Sequence, residues 1–160
     1  MQMQARSPDP RPGTVAAAVS PPSFASDDAT AEAEFAAMRA EYRANGGFAG
    51  GDDLARLLQD CGRGSFASLA RGVVAGEVFG FEWRHTFWIP LFQFTEDLTV
   101  KPGLKAVLAE LASEYDGRRL AEWFVEPNGW LEARRPIDVL DASPDEVLQA
   151  ARADRFVATG

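Results

Sequence analysis

One histidine and one cysteine, His85 and Cys61, are all that 160 residues offer for imidazole or thiol chemistry. A thiol and a base can make a nucleophile, the thiolate being the reactive form. No supporting signature surrounds either residue, and a single turn histidine beside tryptophans is ordinarily structural or exposed. A zinc site needs more such ligands than this chain has. The stretch GRGSFAS, residues 62–68, lacks the lysine and the spacing of a phosphate-cradling loop. The many carboxylates fall at helix starts and on polar faces, where solvation and the helix dipole account for them. The residues point to a protein that is not an enzyme and takes no metal or cofactor.

A second chemistry is recognition of nucleic acid. Arg63, Ser65, Ser68 and Arg71 are donors for phosphates and base edges if they stand at the start of a recognition helix, and Arg84 and His85 suit a wing tip near the backbone. The elements that would position them can be read from the pattern. Asp52 can cap a short helix with Leu54, Leu57, Leu58 and Cys61 at i, i+3, i+4 and i+7. A tight Gly62-Arg63-Gly64 connection follows. Ser65 then caps a helix whose stripe is Phe66, Leu69, Val73 and Val74. From Val78 the period changes to two, with Phe79, Phe81 and Trp83 on one face and Arg84-His85 as a turn, which predicts a hairpin. Pro90 should confine the return strand to an edge or end it, with Phe92 and Phe94 in a further extended piece. That order matches a helix-turn-helix with a β wing. Its charge is unfavourable for DNA, because Asp52 to Phe94 holds four arginines against five carboxylates.

The remaining chain reads as follows. Residues 1–28 hold five of the ten prolines and little apolar content, predicting a disordered arm. From Thr30, Phe35, Met38 and Tyr42 lie at helical spacing up to an Asn45-Gly46-Gly47 stop. After Pro102 a stripe of Leu104, Val107, Leu108, Leu111 and Tyr115 predicts another helix, and Leu120, Trp123 and Phe124 the next. Pro136 begins a short helix bearing Ile137 and Leu140. SPDE, Ser143 to Glu146, has the cap, the first-position proline and the glutamate of a capping box for a last helix reaching about Asp154.

The totals narrow the function classes. A net charge of −8 disfavours general attraction to polyanions. One cysteine requires no oxidising compartment. The run VAAAV, residues 15–19, is too short for a signal peptide, and no stretch approaches a membrane span, so the expected location is the cytoplasm.

The C-terminal part carries a more specific pattern. FQFTEDLTVKPGLKAVLAEL, then AEWFVEPNGWLEARRPIDVLDASPDEVLQAARA, resembles the toxin-binding domain of the Xre/MbcA/ParS-type antitoxins, over about Pro102 to Phe156. The Arg-Arg-Pro step followed by Leu140 is its most specific part. The resemblance implies a protein that neutralises a cognate RES-type toxin, an NAD-consuming or ADP-ribosylating fold, by laying its C-terminal helices over the toxin's active-site entrance. It also implies repression of its own operon through an N-terminal helix-turn-helix. On this view Trp130, Arg134, Arg135, Arg152, Arg155 and Phe156 contact the toxin, and the protein is a homodimer that reads a twofold operator. Typical members have a helix-turn-helix of four or five helices, whereas this chain has a winged pattern.

The expectation is therefore a mainly α chain. An arm over 1–28 precedes a winged helix-turn-helix unit over 29–94, and an antitoxin-like helical domain spans 95–160. The alternative is a stand-alone winged-helix regulator whose C-terminal helices dimerise. Either way, the aromatic run FEWRHTFWIPLFQF, residues 81–94, should form the joint core between the two parts.

Overall fold

A computed structural model describes residues 24–160. Most of the expected arm lies outside the described residues, and its last five, Phe24 to Asp28, instead open the first helix. Among the described residues the fold is mainly α, seven α-helices with a three-stranded antiparallel sheet. No helix among them is long and apolar enough to cross a membrane.

Helix α1 (Phe24–Tyr42) buries Phe35, Met38 and Tyr42, the stripe its spacing predicts. Gly46 and Gly47, both at positive φ, then reverse the chain. Next come β1 (Phe48–Gly50), α2 (Gly51–Asp60) and α3 (Phe66–Val74), followed by β2 (Phe81–Trp83) and β3 (Thr86–Pro90). The sheet order is β1-β3-β2. Arg84 and His85, at φ 47° and 63°, make the two-residue turn between β2 and β3, where Trp83 pairs with Thr86. Both central residues at positive φ match the twist of a right-handed hairpin.

Several local expectations change. Strand β1 lies between the Asn45-Gly46-Gly47 stop and the second helix, where the sequence pattern predicts no element. Three residues are too few to show a period, and they become a strand only because Phe48, Ala49 and Gly50 find Pro90, Ile89 and Trp88 opposite. Pro90 does end its strand, yet that strand is central rather than an edge. Leu91–Gln93 is a 3₁₀ turn rather than an extended piece. The N-cap of α2 is Gly50, not Asp52, and Leu57 and Cys61 face solvent, Ala55 being buried beside Leu54 and Leu58 instead.

The chain continues through α4 (Leu104–Leu111), α5 (Gly117–Val125), the short α6 (Pro136–Val139) and α7 (Pro144–Thr159). Asp116 caps α5 by accepting the Arg119 N–H at 2.8 Å. The capping box expected at Ser143 does not form. Its side chain makes no cap bond, and the Glu146 carboxylate is drawn to Arg134 at 3.0 Å.

The core explains the aromatic density. Phe35, Met38 and Tyr42 from α1 and Phe79, Phe81 and Phe92 around the wing share one cluster with the buried stripes of α4 to α7. Phe79 stacks on Phe124 at 5.7 Å, and Phe92 meets the same ring at 4.8 Å. The core is thus not divided at residue 94. A smaller cluster, Leu54, Ala55, Leu58, Leu69, Val78 and Ile89, lies between α2, α3 and the other face of the sheet. Gln93, fully buried, joins the two regions. Its amide nitrogen donates to the carbonyls of Phe79 and Pro90, and its oxygen accepts the Phe79 N–H at 2.8 Å.

Candidate functional site

The arginines named for DNA contact are not assembled into one basic surface. Arg63 sits in the connection before α3, 3.9 Å from Asp97. Arg84 is held at the wing tip by Asp28 and Glu32 of α1, both at 2.9 Å, and lies over the Trp83 ring. Only Arg71 projects from α3 with no ion pair among the described residues. Ser65 and Ser68 are engaged with each other. Ser65 Oγ accepts the Ser68 N–H, and Ser68 Oγ accepts the Ser65 N–H at 2.7 Å, a capping box that satisfies two orphan donors. Apart from Arg71, the exposed positions between them and beyond are apolar, Phe66 and Val74 among them. His85 lines a groove beside α3, whereas Cys61 lies at the far end of α2.

The C-terminal set is better ordered. Asn128 starts a 3₁₀ turn, Gly129–Leu131, by accepting the Trp130 N–H at 2.9 Å. The indole of Trp130 then points over α7, where its N–H donates to Asp154 Oδ1 at 3.0 Å. The other oxygen of Asp154 accepts from Trp123 Nε1 and Asn128 Nδ2, each at 2.7 Å. One carboxylate therefore ties α5, the 3₁₀ turn and α7 together through charge-assisted bonds. Trp130 stays 61% exposed although its polar end is fixed. Phe156, at 78% exposed, and Val157 extend the apolar surface of the last turns of α7.

The four C-terminal arginines have carboxylate partners. Arg134 pairs with Glu146 and donates to the Leu131 carbonyl at 3.0 Å, holding the turn onto α7. Arg135 binds both oxygens of Asp138, at 2.7 and 3.0 Å, and reaches Glu41 of α1 at 3.2 Å. The hydrogen bond to Asp138 pushes its guanidinium pKa further up, against a smaller effect of burial. Arg152 and Arg155 grip Glu110 of α4 at 3.0 and 2.8 Å. The Arg134–Glu146 pair is largely solvated and contributes about 1 kcal/mol or less, whereas Glu110 is only 18% exposed beneath Arg152 and Arg155. Their role is orientation.

Asp154 was not singled out from the sequence. Its partners lie 24 to 31 residues away, and a carboxylate in the C-terminal half of a helix, against the dipole, was the one local hint. No family model matches the chain, and neither does any curated protein or solved structure.

Proposed function

We propose that the chain is an antitoxin-like, cytoplasmic protein that binds a cognate RES-type toxin through its C-terminal helices. The observation that carries this reading is Trp130: a large exposed aromatic whose indole is held in place by Asp154. Aromatics of this kind dominate binding energy at interfaces, and one already fixed in place loses little freedom on association. Phe156 and Val157 supply further apolar contact, and Arg134 can exchange the solvated Glu146 carboxylate for that of a partner. The sequence pattern from Asn128 to Ala153 is the remaining support.

The test is co-expression with the adjoining open reading frame. The expected result is a toxic neighbour that this protein neutralises and co-purifies with, both effects being lost in Trp130→Ala and Phe156→Asp variants that keep the parent's circular dichroism. A neighbour that is harmless alone, or remains toxic beside this protein, sinks the proposal.

The regulator reading rests on the order of α2, α3 and the wing. Its support is weaker because α3 offers Phe66 and Val74 where a reading helix offers polar donors. A salt-dependent shift of the protein's own promoter, abolished by Arg63→Ala with Arg71→Ala, would favour it.

A further inference from the structure

Phe66, Ala70 and Val74 follow one another at four-residue steps along the outward row of α3, with Phe66 64% exposed and Val74 89%. A surface helix ordinarily turns a polar row to water, and an apolar row in its place marks a surface that something covers. On one flank Leu69, Val73, Phe87 and Ile89 continue the row into a groove of about 720 Å³ between α2, α3 and β3. On the other flank stands Arg71, the single charged residue of the helix, in no ion pair among the described residues. At the groove's rim, where α2 begins, Asp53 is engaged by Arg56 at 3.2 Å. Its neighbour Asp52 is exposed and in no ion pair among the described residues.

We propose that a second copy of this chain covers this face, the two α3 helices packing row against row about a twofold axis that runs along them. The face is complementary to itself under that symmetry. Each apolar row meets its counterpart, the small Ala70 letting the backbones approach while Phe66 and Val74 are buried on either side of it. The same axis exchanges the flanks, so Arg71 of each copy comes over the groove of the other and faces the unpaired Asp52 at its rim. Residues without a partner inside one copy thereby gain one in the pair. Charge also favours this face. Two chains of net charge −8 repel each other, and α3, with one arginine and no carboxylate in nine residues, is a surface on which they meet with little repulsion. A dimer of this form buries α3 and withholds it from a DNA groove, and it is independent of what binds at Trp130.

Sedimentation of the full chain over a concentration series tests the proposal, and a dimer is the expected result. Val74→Asp changes a solvated side chain and should give a monomer that keeps the parent's circular dichroism. Arg71→Asp and Asp52→Arg each set like charges face to face and should weaken the dimer by about tenfold or more. Combined in one chain, the two substitutions restore opposite charges and should recover it. Trp130→Ala should leave the dimer intact. A chain that stays monomeric at every concentration overturns the proposal, and so does a dimer that survives Val74→Asp. A combined charge variant that associates no more tightly than either single variant overturns it as well.

Discussion

The carbonyl oxygen of Gly80 occupies the place where a side chain on residue 117 would begin: a Cβ on Gly117 would stand 1.9 Å from it. Gly80 is closed in its turn by the Trp88 carbonyl, 2.5 Å from its own hypothetical Cβ. The backbone leading into β2 and the N-terminus of α5 are therefore in direct contact. Gly117→Ala sets two effects against each other. Helix propensity favours alanine by about 1 kcal/mol, whereas forcing the two backbones apart in a packed region costs about 1–3 kcal/mol or more. The clash is with backbone and cannot be relieved by a rotamer, so the variant should be destabilised by about 1 kcal/mol or more in urea unfolding. Equal or greater stability would show that the contact is looser than described.

Asp154 and Trp130 should separate stability from binding. Asp154→Ala leaves the indole N–H groups of Trp123 and Trp130 and the Asn128 amide without their acceptor. Trp123 is buried, so the expected loss is about 2–3 kcal/mol. Trp130→Ala removes an exposed ring and should cost under about 1 kcal/mol, while abolishing capture of the proposed partner. Equal losses of stability in the two variants would contradict the assignment.

Tyr42 makes the fold sensitive to alkali. Its hydroxyl is buried and donates to the Ala121 carbonyl, and burial raises the phenol pKa far above its ordinary value of 10.0, an effect Arg135 only partly opposes. Below pH 10 the phenol is protonated whether the chain is folded or not, and stability is unaffected. Above that, the unfolded chain releases a proton that the folded chain retains, so stability falls as pH rises. Tyr42→Phe should be less stable at pH 7 by about 1 kcal/mol yet show a flatter loss between pH 10 and 11. Parallel curves for the two proteins would refute this.

The wing turn carries strain at a residue first singled out for chemistry. His85 holds φ 63°, a conformation that costs an L-residue about 1 kcal/mol and glycine almost nothing. His85→Gly should therefore raise the melting temperature by a few degrees, while His85→Ala should not. A lower melting temperature for the glycine variant would mean that the imidazole itself stabilises the tip.

The helix stripes of Phe35, Met38 and Tyr42, of Leu104, Val107, Leu108 and Leu111, and of Leu120, Trp123 and Phe124 were legible because burial of one helix face repeats at 3 and 4 residues. So was the hairpin, from the alternation through Phe79, Phe81 and Trp83. Strand β1 was not, since its pairing with β3 is decided 40 residues away. Of the candidate site residues, Trp130 and Phe156 are exposed, Ser65 and Ser68 hold each other in the local cap that spacing predicts at Ser65, and Arg84 is held by Asp28 and Glu32, partners in α1 that no local spacing announces.

Mainly helical composition, the turn at Arg84-His85, the cap at Ser65 and the charge balance follow from the sequence by itself, because each depends on neighbours within a few residues. The aromatic run was also legible as a joint core between the wing and the C-terminal helices; the tertiary structure alone decided that α1 shares this core, that a single carboxylate at Asp154 fixes Trp130 in place, and that α3 turns an apolar side outward. Those outcomes depend on which surfaces meet after the chain folds back on itself, and packing between distant segments leaves no period in the sequence.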